Sequence, residues 1–79
     1  MIDVIKQKFR EEVTDFHAYK KLEKQAYDTN DRFVALWIGK IAREEYTHAR
    51  WMRHYLKEHG AFSAECEDMW KSVIDEMEK

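Results

Sequence analysis

The chain has 79 residues, and its charged side chains, 38% of the total, nearly cancel to a formal net charge of -2. That length fits one small domain, and the lack of a basic excess argues against nucleic acid as the main partner, since phosphate binding needs one. No apolar run approaches membrane-spanning length, and no Cys-x-x-Cys is present to build a rubredoxin or zinc-ribbon site.

Proline is absent and glycine occurs twice, which favours long unbroken helices. The first helix is expected over about residues 2–27. Ile5, Phe9, Phe16, Tyr19 and Ala26 recur at three- and four-residue steps, as one face of an amphipathic helix should. Two positions on that stripe are carboxylates, Glu12 and Glu23. Lys6, Lys8, Arg10, Lys20, Lys21 and Lys24 fall on the other faces and read as solvated charge. The run Asp28-Thr29-Asn30-Asp31 then suits a short turn and the N-cap of a new helix. A connection this short makes the next helix an antiparallel neighbour of the first.

The second helix is expected over about residues 30–59. Its stripe is Val34, Trp37, Ile38, Ile41, Glu45, His48, Met52, Tyr55 and Leu56, so a carboxylate and an imidazole interrupt an apolar face. Gly39 lies inside this helix, where it costs roughly 1 kcal/mol against alanine; it either lets a neighbouring helix approach closely or is simply tolerated. Gly60 suits the stop after the helix. A third helix is expected over about residues 63–77, capped by Ser63, with Cys66, Met69, Trp70, Val73, Ile74 and Met77 on its apolar stripe. It contains no histidine. The fold class is therefore all-α: an antiparallel helical hairpin plus a short third helix. That third helix could brace its own hairpin, swap onto a partner or join dimers into a ring.

The single cysteine cannot form an internal disulfide, so a reducing cytoplasm is the expected compartment. Asp3 and Lys6 break the apolar start that a signal peptide would need.

The chemistry lies at the interrupted stripes. An unpaired buried carboxylate costs several kcal/mol, so Glu12, Glu45 and His48 need compensation from a cation, a proton or a metal. Lysines and arginines lie mostly off these stripes. Carboxylate oxygen with imidazole nitrogen suits iron, manganese or zinc. Glu45 and His48 share a helix face at i and i+3. Glu44 also reaches His48 at i+4, but it lies nearer the edge of the stripe and reads as a surface carboxylate. Carboxylate-bridged di-iron sites in four-helix bundles take a Glu from each of two helices and a Glu-x-x-His from each of the other two. This chain supplies half of that set, and its third helix cannot supply the rest. A homodimer can: two hairpins give four helices, four glutamates and two histidines. Four carboxylates then balance two divalent ions. A core this small would also be stabilised by dimer burial and by metal.

Glu12, Tyr19 and Ala26 on the first helix, and Ala42, Glu45, His48 and Ala49 on the second, resemble the rubrerythrin branch of the ferritin-like superfamily. The spacing from Glu12 to Glu45 matches that family without a gap, and the likeness covers roughly residues 9–56. The resemblance implies a bridged di-iron site with Glu12, Glu45 and His48 as ligands. It also implies that Tyr19 hydrogen-bonds a ligand carboxylate, and that the activity is oxidation of ferrous iron or reduction of peroxide or oxygen, with an external electron donor. Rubrerythrins normally carry both halves of the site in one chain and often a rubredoxin domain; this sequence has neither. Encapsulated ferritins, which are also half-bundles that close by dimerisation, match its spacing less well. Position 23, usually small in the family, is glutamate here.

Other residues read more simply. Glu23 lies about 16 Å along the helix from Glu12, too far to share its metal. It reads as a structural polar residue or the partner of a lysine across the dimer. His17, His54 and His59 read as surface or edge residues. Trp37, Trp51 and Trp70 read as packing residues, and Cys66 as a small core residue. Arg43, Arg50, Arg53 and Lys57 read as a solvated face on which an acidic partner could dock. The alternative to a redox protein is a non-catalytic metal binder, or a metal-free helical oligomer or adaptor with Glu12 and Glu45 paired to basic residues between chains.

Overall fold

A computed structural model describes all 79 residues as three α-helices with no strand: α1 (Ile2–Asp28), α2 (Arg32–Glu58) and α3 (Ala64–Met77). No helix is long and apolar enough to cross a membrane. The helix boundaries fall within two residues of those expected, and the differences have local causes. Asn30 takes a left-handed φ of 61°, so it ends α1 rather than starting α2. Its amide donates to the Tyr27 carbonyl, and the Asp31 amide reaches back to Ala26 at 2.8 Å, a Schellman closure. Asp31 then caps α2, its carboxylate accepting from the Val34 amide at 3.2 Å. The same closure ends α2 with Gly60 at φ 63°, where the Gly60 and Ala61 amides donate to Lys57 and Leu56. Ser63 caps α3 as expected, accepting from the Cys66 amide at 3.3 Å.

The hairpin is antiparallel. Glu23 lies against Gly39 near the turn, and Glu12 lies near His48 farther from it. The α2 seam in the core differs from the expected stripe. Its buried positions are Ala35, Gly39, Ala42, Ala49 and Leu56, four of them seven residues apart. Small side chains let α2 sit close to the large Phe9, Val13 and Phe16 of α1. Val34, Ile38, Ile41, Met52 and Tyr55 are only half-buried beside that seam, and Trp37 is 59% exposed. Trp37 and Trp51 are thus surface side chains, and only Trp70 packs as expected.

Helix α3 braces its own hairpin. Trp70 stacks on Tyr46 at 5.6 Å, Phe62 meets the edge of Phe9 at 5.4 Å, and Cys66 and Val73 are fully buried. Arg53, expected on a solvated face, instead lies half-buried over the rings of Trp70 and Phe62. His17, expected at the surface, is half-buried and joins α1 to α3 through Ser72 Oγ at 2.9 Å. Ser72 donates its own proton to the Met69 carbonyl, so its oxygen accepts from His17 and the two do not form a base–nucleophile pair. The ends of α1 and α3 carry ordinary surface charge. The side of the hairpin away from α3 has no covering element.

Candidate metal centre

Three residues converge on that uncovered side. Phe9 and Phe16 are fully buried and hold the intervening turn of α1 in the core, so Glu12 is only 5% exposed. On α2 the buried alanines Ala42 and Ala49 flank Glu45 and His48 and bring that turn close to α1. One ligand atom from each of Glu12, Glu45 and His48 lies within 4.8 Å of the others. His48 Nδ1 is 3.7 Å from Glu12 Oε2 and 3.9 Å from Glu45 Oε1. Both distances exceed a hydrogen bond. Two ligands on one metal, each at about 2.0–2.2 Å, stand roughly 3.0–3.5 Å apart. The three donors therefore surround a gap that a cation would close by a small inward movement.

The electrostatics of the group are unbalanced. Glu12 Oε2 is buried and has no hydrogen-bond donor while Glu45 is ionised; a protonated Glu45 can supply one. The Glu45 carboxyl is pushed up from 4.5 to about 7. Burial is the largest cause; a proton shared with Glu12, repulsion by Glu12 and then by Asp15 follow, while Lys8 opposes them. Such a carboxyl is about half protonated near pH 7, and a divalent cation competes with that proton for the same oxygens.

All three ligands predicted from sequence are brought together. Tyr19, expected to hydrogen-bond a ligand carboxylate, is half-buried against the hydrophobic core and makes no side-chain hydrogen bond in the single chain. Glu44 is exposed, and Glu23 stands apart, pairing with Lys20 at 2.8 Å within the same chain. Its other oxygen lies against Gly39, where a side chain would collide with it, so the glycine makes room for a carboxylate rather than for a helix. The sequence reading missed Lys8. Its ammonium lies 3.6 Å from Glu12 Oε1, and the i, i+4 spacing on α1 was the available signal. Trp51 also adjoins the site, its ring 6.2 Å from that of His48, and with Ile5, Met52 and Tyr55 it lines a shallow apolar cleft.

Compared with known proteins, the chain matches no family model, no curated protein and no solved structure. The geometry itself gives a helical protein with a Glu-Glu-His group able to hold a metal ion.

Proposed function

We propose that the chain is half of a ferritin-like, carboxylate-bridged di-metal protein, and that a second copy supplies the other half. One observation carries this reading. The buried Glu12 carboxylate, with an oxygen that has no donor while Glu45 is ionised, meets Glu45 and His48 on the side of the hairpin that α3 leaves open. Two such faces opposed would assemble four carboxylates and two imidazoles, the donor set of di-metal four-helix bundles. Iron is the proposed metal, from the sequence resemblance; manganese and zinc suit the same donors.

In this reading Glu12, Glu45 and His48 of each chain would hold the ions. Half-buried Ile38, Ile41 and Met52 flank the ligands and limit the access of water once a partner covers them. When bound, a ferrous pair supplies the two electrons that reduce one peroxide, with two protons, to two waters. The external electron donor of the resemblance would restore the ferrous state. The test is native mass together with metal content after growth in iron-supplemented medium. An even-numbered oligomer with about one iron per chain is expected. Anaerobic ferrous loading followed by peroxide or oxygen then separates a redox protein from a binder. Oxidation no faster than a protein-free control removes the redox assignment.

One observation favours a second, metal-free reading. A protonated Glu45 and the Lys8–Glu12 contact balance the cluster without any ion. On that reading the purified protein holds no metal, and its stability does not respond to added zinc or iron.

A further inference from the structure

The Lys8–Glu12 contact also bears on how the site fills, taking the metal reading as given. We propose that Lys8 is a tethered counter-ion, which neutralises Glu12 while the site is empty and weakens the binding of a divalent cation there. Lys8 sits one helical turn before Glu12 and approaches Oε1, the oxygen other than the one facing His48. The Lys8 side chain is 54% exposed, so it can swing into water, whereas the Glu12 carboxylate is held in the core.

Charge decides which state Lys8 favours. While the site is empty, the Lys8 ammonium offsets the Glu12 carboxylate that it faces. With a divalent ion and an ionised Glu45, the two carboxylates already balance the metal, and Lys8 becomes a surplus positive charge. Its interaction therefore differs in sign between the two states, which is what an affinity-setting residue requires. A divalent ion beside Glu12 feels twice the repulsion from the Lys8 ammonium that a single positive charge would feel. Losing Lys8 thus favours the metal.

The test uses the apo-protein, zinc(II) and a chromophoric chelator in competition, at one fixed pH for all variants. Lys8→Gln is expected to bind zinc roughly threefold to tenfold more tightly than wild type, while Lys8→Arg stays close to wild type. The metal-free Lys8→Gln protein is expected to be less thermally stable, because Glu12 loses its counter-ion. Opposite movement of the two readouts separates this role from a merely structural one, which would lower both. The gain in affinity should shrink as salt rises from about 20 mM to about 0.5 M. Equal or weaker zinc binding by Lys8→Gln, with wild type binding normally, overturns the role of Lys8 and leaves the metal site standing. Failure of folded wild type and Lys8→Gln alike to take up zinc overturns both.

Discussion

Glu45→Gln gives the sharpest test of the site's electrostatics, because it removes an ionisation while keeping the side chain's shape. In the metal-free protein the Glu45 carboxyl is pushed from 4.5 to about 7, equivalent to roughly 3 kcal/mol. Below about pH 4.5 the folded and unfolded chains both hold this proton, and folding is not penalised. Between there and about pH 7 only the folded chain holds it, so stability falls by about 1.4 kcal/mol per pH unit. Above the folded value both states are ionised, and the whole penalty remains. For a chain of this size, with a total stability of order 4–12 kcal/mol, that is a large share. Urea titrations in chelator between about pH 4.5 and 8 should show wild type losing stability relative to Glu45→Gln, with a final gap of about 3 kcal/mol. Zinc at a hundredfold excess over its dissociation constant should return about 2.7 kcal/mol to wild type, and much less to Glu45→Gln. Parallel pH profiles for the two proteins would refute the reasoning, since the raised carboxyl would then not be Glu45.

Three further outcomes probe the frame around the site. Gly60→Ala should cost about 1 kcal/mol in urea unfolding, because Gly60 holds a left-handed φ of 63° that alanine resists. Gly39→Ala should change stability little, since the gain in helix propensity is offset by displacing the Glu23 carboxylate. In a Glu23→Ala background the same change should stabilise by roughly 1 kcal/mol, which a double-mutant cycle would detect. Trp70→Ala should destabilise by about 3–5 kcal/mol and release α3, because the lost ring stacks on Tyr46 and lies under Arg53; loss of near-ultraviolet dichroism would report it.

Most of the helical frame was legible because its signals are local. Caps at Asp31 and Ser63, the stop at Gly60 and the absence of proline all act within a turn or two of themselves. The ligand trio was legible for a related reason: a carboxylate or imidazole inside an apolar stripe stands out against its neighbours. What escaped was which apolar residues are inside. Hydrophobic periodicity weights large side chains, so Trp37 and Ile41 were read as core and Ala35, Ala42 and Ala49 were not. Helix spacing reverses that order, because two helices approach most closely where the side chains between them are small. The repeat of Ala35, Ala42, Ala49 and Leu56 at seven-residue steps carried that information. Lys8 was missed because a lysine's long stem lets it act one turn away from the face that it is assigned to.

The buried seam and the open face together make a further prediction about assembly. Only 13 of the 79 residues are buried, yet Glu12 is among them. The cost of desolvating its carboxylate is thus already present in one chain, before any partner arrives. A second copy laid on the open side would also cover Glu45, whose side chain is 16% exposed, and His48, at 46%, and would remove the water that now reaches them. If the site is shared between two copies, covering it is favoured more with a metal bound than with only the Lys8 ammonium and a proton to balance the carboxylates. On the proposed shared-site reading, metal binding and self-association are coupled, and linkage requires each to strengthen the other by the same factor. Sedimentation of the same protein in chelator and in zinc should show tighter association with zinc. The zinc affinity should rise with protein concentration across the range where the dimer forms. Trp51→Glu, which places a charge beside His48 on a surface 68% exposed in the single chain, should weaken association while leaving the monomer folded. Identical association in chelator and zinc, with zinc bound, would place the metal in a site that one chain completes by itself, and would remove the shared di-metal centre.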